Sequence, residues 1–339
     1  MKILSEHIKA LRAFGYTDSE ARFLYIVATH SGYFTPRHFA EFSGNKAGRA
    51  THTFTTRILA HRHVKQHRHQ NNARVYHVTH RRIYQSLDRE NIRNRRAHSF
   101  EFIKTRLAIL DFILGRLGYD YFEDEFDKVR YFQERFQIPP KEMPGRTYSG
   151  ANQVPDTIRY FVDKFPLYLD STTPAYPLIT LTYIDPGFGN LSAFTTHLRA
   201  YSIFLSRLPR FAFVFASPDV RLFPKAERLF AQEIHPKPGE LSAQVARYFR
   251  LRSAWEGKRY EALSNDDLEF LNHARQYFSG DLFESTYQKW QTGAVAESAL
   301  VAHLDGRSER KQDITFNTFL LPHDYSLFGQ NSQLSGKPR

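Results

Sequence analysis

Residues 35–79, TPRHFAEFSGNKAGRATHTFTTRILAHRHVKQHRHQNNARVYHVT, decide how this chain is read. Thr35-Pro36 sets a helix start: a threonine oxygen accepts an orphan backbone N–H, and proline takes the first helical position, where no N–H is needed. That short helix carries Phe39, Ala40 and Phe42 and stops at Gly44. A second helix is legible over residues 47–61, with Ala50, Phe54, Ile58 and His61 three to four apart on one face. Its opposite face presents Lys46, Arg49, His52, Thr53, Thr56 and Arg57. A basic hairpin follows, residues 64–69 and 74–78 about a turn at 70–73, with Val75 and His77 alternating against Tyr76. Helix, tight turn, helix and β-wing are the order of a winged helix-turn-helix, whose second helix enters the major groove of duplex DNA.

Upstream, residues 5–13 and 19–29 both predict helices. In the second, Ala21, Leu24, Tyr25 and Ala28 share a face, and Thr17-Asp18-Ser19-Glu20 supplies a capped start. This is the support helix on which a helix-turn-helix packs. Downstream, residues 81–87 form a short helix, and residues 88–98 (DRENIRNRRAH) are polar and basic enough for a linker, or for an arm lying on a DNA backbone.

The charge distribution agrees with that placement. The net charge is +12; eighteen Lys/Arg stand against six Asp/Glu before residue 99, and twenty-nine of each sign follow. The whole basic excess therefore lies in the first hundred residues, as neutralisation of phosphates requires. Cysteine is absent, which excludes disulfides and thiolate metal sites. No apolar run has the length of a signal peptide or membrane span, so a cytoplasmic protein without membrane contact is expected. With 339 residues and thirty Phe, the chain is long and aromatic enough for more than one core.

Residues 99–118 predict a strongly apolar helix, with Phe102, Ile103, Leu107, Leu110, Ile113, Leu114 and Leu117 on a wide face, suited either to core between two domains or to dimerisation. Residues 122–136 continue as a helix, and 141–154 (KEMPGRTYSGANQV) as a loop. Residues 159–169 and 178–184 are strand-like, the second a nearly continuous apolar run as in a buried strand. A helix over 191–208, a strand over 211–216 (FAFVFA) and a helix over 220–232 make an α/β arrangement with a parallel crossover. Helices over 241–255, 268–278 and 282–290 follow, and a strand over 314–321. The expected organisation is α+β or α/β: a winged helix-turn-helix in 1–90, a basic linker and helical connector in 91–150, an α/β core in 151–235 and a helical extension in 236–339.

This order, together with Pro155-Asp156, Tyr183-Ile184-Asp185-Pro186-Gly187, Leu198-Arg199-Ala200-Tyr201 and Phe211-Ala212-Phe213-Val214-Phe215 before Arg221, resembles the replication-relaxation family of plasmids and other mobile elements. The resemblance spans residues 15–234. It implies a winged helix followed by a core similar to the restriction-endonuclease fold. Such a nuclease core holds one or two Mg²⁺ ions on two carboxylates and a third polar group. Asp156 and Asp185 are the candidate carboxylates. Where the family pattern has an acidic residue two positions before the aspartate of the glycine turn, this chain has Tyr183, so a degenerate, non-catalytic core is expected.

His61-x-His63 and His67-x-His69 are spaced like metal ligands on a strand, but they interleave with Arg62, Lys65 and Arg68 and no carboxylate completes the set; no metal is expected there. Gly187-Phe188-Gly189 lacks the third glycine of a dinucleotide fingerprint, and no cofactor is expected. The sequence therefore describes a DNA-binding protein, as a homodimer on double-stranded DNA. Lys46, Arg49, His52, Thr53, Thr56 and Arg57 meet the groove, and Arg62, Lys65, Arg68 and Arg74 hold the backbone. Two alternatives stand beside it: a metal-dependent nuclease using Asp156 and Asp185, and a winged helix that docks protein.

Overall fold

A computed structural model of the chain describes residues 1, 3–44, 48–68, 73–90, 92–148, 157–163, 165–170, 177–234, 238–278, 281–300 and 312–325. The protein is a mixed α and β molecule. Its first part runs α1 (Ser5–Arg12), α2 (Asp18–Ile26), β1 (Tyr33–Phe34), α3 (Pro36–Phe42), α4 (Arg49–Ala60), β2 (Val64–Arg68), β3 (Arg74–Val78) and α5 (Arg81–Gln85). Thr17 caps α2 through reciprocal bonds with Glu20, as its sequence predicts. α2 then widens into a π turn, Val27–Ser31, closed by the Gly32 N–H on the Val27 carbonyl at 2.6 Å. Gly32 has φ +82°, and a Cβ there would stand 2.5 Å from the Asn94 carbonyl oxygen, so this turn tolerates no side chain.

The three strands form one antiparallel sheet in the order β1-β3-β2, with Tyr33 opposite His77 and Lys65 opposite that same His77 on the other side. Because β3 is central and covered on both faces, Val75, Tyr76, His77 and Val78 are all buried, where alternation across Tyr76 is expected from sequence. The expected turn at 70–73 has residues 70–72 outside the described residues. The basic stretch 88–98 is not a free arm: it forms a 3₁₀ turn at Arg93–Arg95, and buried Asn94 donates from Nδ2 to the Ala28 and Thr29 carbonyls, capping the end of the π turn.

Helix α6 (Phe100–Leu114), capped by Ser99, is buried over 103–104 and 106–113 and lies between the first part of the chain and a second sheet. Of the two roles expected for it, core or dimer interface, its apolar surface is taken up by its own chain. The second sheet has the order β10-β9-β8-β7-β4, from β4 (Asp120–Tyr121), β7 (Leu167–Asp170), β8 (Leu178–Ile184), β9 (Arg210–Ser217) and β10 (Asp313–Leu320). β4, β7 and β8 pair antiparallel, whereas β8, β9 and β10 run parallel. Helix α8 (Leu191–Arg207) makes the crossover from β8 to β9.

FAFVFA shows why these strands read as unbroken apolar runs. Phe211, Phe213 and Phe215 enter the core beneath α7 (Glu125–Phe136), α8 and α9 (Phe223–Ile234), while Val214 and Ala216 face the core that α6 shares with the first part of the chain. A sheet covered on both faces has no polar face to alternate with. Two expectations around it are corrected. Gly145–Tyr148, expected in a loop, is strand β5, paired with β6 (Thr157–Tyr160). Residues 159–169 are not one strand: Phe161, at φ +49°, separates β6 from β7, which lie in different sheets. After α9 the helices α10 (Pro238–Glu256), α11 (Asn265–Tyr277) and α12 (Asp281–Gln291) enclose a small core of their own around Phe249 and Tyr287. β10 then returns the chain to the sheet, so residues beyond 236 supply an edge strand as well as helices.

Candidate nucleic-acid interface

The face α4 turns inward is Thr51, Phe54, Thr55 and Ile58, an i, i+3, i+4, i+7 stripe. Phe54 anchors it, stacked on Phe39 of α3 at 4.2 Å between ring centroids and edge-on to Phe23 of α2 at 5.8 Å. Ala50 and His61, expected on this face, are exposed. They fall at its margins, and Thr51 and Thr55 take the inner positions; the Thr55 hydroxyl satisfies itself on the Thr51 carbonyl at 2.9 Å, while Thr51 Oγ1 is buried with no hydrogen-bond partner among the described residues.

Arg49, His52, Thr53 and Thr56 are exposed on the outer face of α4. Lys46 lies outside the described residues. Arg57 departs from its expected role: its Nη1 meets Glu20 at 2.5 Å and donates to the Gly15 carbonyl at 3.3 Å, so its charge ties α4 to α2. On the hairpin, Arg62, Lys65, Arg68 and Arg74 are exposed. Arg62 occupies a left-handed turn at φ +55° that links α4 to β2. Among the described residues, Arg49, Arg62, Lys65, Arg68 and Arg74 form no ion pair. Arg68 and Arg74 are direct cross-strand partners, an arrangement of like charges that an approaching anion relieves.

The histidines divide by burial rather than by spacing. His63 is buried with Nδ1 at 2.7 Å from the Tyr16 hydroxyl, and burial together with His80 and His61 pushes its pKa down to about 4. His77, stacked on Tyr33 at 4.1 Å and bonded through Nε2 to the Asn94 carbonyl, is likewise held at about 4 by burial. Both are neutral core residues at pH 7. His61 and His67 are exposed, and His69 lies outside the described residues.

Of the two carboxylates of the nuclease alternative, Asp156 lies outside the described residues. Asp185 is buried and works on its own turn: Oδ1 accepts the Phe188 N–H at 3.0 Å and Oδ2 accepts the Ser217 hydroxyl at 2.9 Å. Burial raises its pKa above the ordinary carboxylate range. Tyr183 packs among Phe165, Phe194 and Phe215.

Two clusters of chemistry-bearing side chains escape sequence reading because their members are far apart in the chain. In one, half-buried Asp163 accepts the Tyr201 hydroxyl at 2.6 Å and the Phe165 N–H at 3.0 Å, with His197 Nδ1 at 3.3 Å. These partners hold its carboxyl below the usual range against the effect of burial. In the other, Asp111 of α6 meets His38 Nε2 at 2.9 Å, His323 Nδ1 at 3.0 Å and the Tyr325 hydroxyl at 2.8 Å. His38 Nδ1 accepts the Thr35 N–H at 2.9 Å, which puts its own proton on Nε2, aimed at Asp111. His323 Nε2 also reaches Glu41 at 3.3 Å, so Glu41, Asp111 and His323 bring ligand-type atoms within 4.8 Å of one another. Asp111 is held at about 2 by the histidines, against its burial.

No protein-family model matches the chain, and neither a curated protein nor a solved structure matches it. No helix among the described residues is long and apolar enough to cross a membrane.

Proposed function

We propose that residues 1–90 act as a winged helix-turn-helix that docks on duplex DNA, with α4 in the major groove and the β2–β3 hairpin along the phosphate backbone. The observation that carries this is the division of α4: one face anchored by Phe54, the other exposing Arg49, His52, Thr53 and Thr56, next to a hairpin whose exposed Lys65, Arg68 and Arg74 form no ion pair among the described residues. The order α2–β1–α3–α4–β2–β3 with β3 central supports the same reading, since it puts helix and hairpin on one small sheet. Groups early in α4 reach base edges and specify; hairpin cations meet phosphates and position. The role is that of a regulator, or of a replication or mobilisation factor of a mobile element, in keeping with the resemblance described above.

The second sheet supports a restriction-endonuclease-like placement in outline: a β7–β8 hairpin followed by a parallel crossover through α8 to β9. Asp185 is committed to a turn, which favours a structural module over a nuclease; incubation with supercoiled plasmid and Mg²⁺ checks this, and nicking abolished by Asp156→Ala would reverse it. Selection of bound fragments from random DNA tests the main proposal. A shared motif among the bound fragments is expected, and recovery no better than the input pool contradicts it.

A further inference from the structure

A cavity of about 990 Å³ opens where the first part of the chain meets α6, α7 and the β5–β6 hairpin. Its wall gathers side chains from Thr29, His30, Arg89, Arg106, Lys128 and Arg159. Ten buried side-chain polar atoms lack a hydrogen-bond partner among the described residues; five of them belong to this wall, namely Thr29 Oγ1, His30 Nε2, Arg89 Nε, and Nε and Nη1 of Arg106. Orphan buried groups are normally scattered and few. Here they concentrate, and most are cationic or next to a cation.

The charges are unmatched as well. Arg106 is fully buried, and among the described residues its side chain hydrogen-bonds only Asn94, through Nη2; burial pushes its pKa down to about 10. Lys128 is buried with its ammonium over the Phe161 ring at 5.6 Å and no ion pair among the described residues, and its pKa is lowered by burial. Burial, with Arg89, Lys128 and Arg106 nearby, forces His30 down to about 3. Apart from Glu90, the wall's carboxylates are engaged: Glu123 and Asp124 with Arg89, Glu125 with Arg159 and the Tyr160 N–H, Asp88 with His7. Glu90 is exposed. Asp163, the carboxylate whose field reaches both Arg106 and Lys128, spends its oxygens on Phe165, Tyr201 and His197.

Rings interleave with the cations. Arg106 lies over Phe102 at 5.1 Å and Arg93 over Tyr148 at 5.3 Å, and Phe126 stays 68% exposed although it lines the cavity. An unpaired buried guanidinium asks for an anion, and the half-buried Tyr148 ring and the exposed Phe126 ring on the same wall ask for a flat apolar group. The volume sits at the upper end of ordinary ligand pockets, about 300 to 1,000 Å³. We infer that this cavity binds a nucleotide, its phosphate drawn to Arg106 and Lys128 and its base stacked on Tyr148 or Phe126. The site is separate from the exposed face of α4, and a ligand there bridges the first part of the chain to α7.

Calorimetric titration of the full chain with nucleoside 5′-mono- and diphosphates, the matching nucleosides and inorganic phosphate tests this without any DNA present. At least one nucleotide is expected to bind about tenfold or more tightly than its nucleoside and than inorganic phosphate, a step one charge-assisted contact supplies. Lys128→Met keeps the volume and removes the buried charge. It is expected to weaken nucleotide binding about tenfold while leaving the unliganded Tm unchanged or higher, a combination that a purely structural lysine does not give. Arg93→Ala, a half-buried position, is expected to weaken binding without loss of fold. No nucleotide binding at millimolar concentration, equal binding of inorganic phosphate, or binding unaltered in Lys128→Met overturns the assignment.

Discussion

At the residue scale, charge and burial divide side chains that look alike in sequence. Arg49 and Arg57 sit two turns apart on one helix, yet Arg49 is exposed and Arg57 is bound by Glu20. On a preferred DNA site, Arg49→Ala is expected to cost about 1 to 3 kcal/mol, whereas Arg68→Ala weakens all sequences alike and flattens the salt slope by about one; anisotropy titrations on selected and random duplexes separate the two. The histidines yield a pH dependence. The folded pKa of His63, about 4, lies below its unfolded value near 6.5, so the unfolded chain takes up protons that the folded chain refuses between those limits. Stability is therefore full above pH 6.5 and falls on acidification toward pH 4. His63→Gln, which keeps a partner for Tyr16 and cannot titrate, is expected to recover on the order of 1 to 2 kcal/mol of the loss at pH 5 by thermal unfolding. Asp111, held at about 2, acts only below this window. The exposure of Arg49 and of the hairpin cations was legible in the sequence from their spacing, whereas the tie of Arg57 to Glu20 was not. The burial of His63 was not, since HRHV reads as an alternating strand, whereas His63 precedes the strand and lies against Tyr16.

Among the elements, periodicity placed α3, α4, the hairpin, α8 and β9 nearly to the residue, because each presents one face or one long apolar run to a core. Misreadings arose where a neighbour from elsewhere in the sequence changes what a face meets. β3 loses its alternation because Asn94, from the following basic stretch, covers its second face through His77. β5 hides in a Gly- and Ser-rich stretch because its partner β6, not its own apolar content, makes it a strand. Helix α6 carries the element-scale prediction, since buried Asp111 on it gathers donors from α3 and from the segment after β10. Asp111→Ala removes the carboxylate that His38 Nε2 and the Tyr325 hydroxyl share, while those two groups stay 3.1 Å from each other, and is expected to cost about 3 to 5 kcal/mol in denaturant titration. Combined with Tyr325→Phe, the losses should fall short of their sum, as for contacting residues.

Across the whole molecule, the sheet and the first part of the chain share one continuous core through α6, closed by residues 323–325 from the far end of the described chain. That return was invisible in the sequence: 321–325 holds no periodic pattern, and its partners lie more than two hundred residues away. Removing residues 322–339 is expected to lower the Tm of the chain and to make a subsequent Asp111→Ala milder than in the intact protein, because the contacts it breaks are already gone. The claim on which most depends remains that the exposed face of α4 and the hairpin form one surface for duplex DNA. The direct measurement is the affinity of the intact protein for a selected duplex over a salt series, beside a variant with Arg49, Lys65, Arg68 and Arg74 all changed to Ala. A steep fall of log K with log salt is expected, with the variant losing roughly three of that slope, about 0.9 for each of the three hairpin phosphate contacts. A flat salt dependence, or a slope that the four substitutions leave unchanged, contradicts the assignment of this surface to DNA.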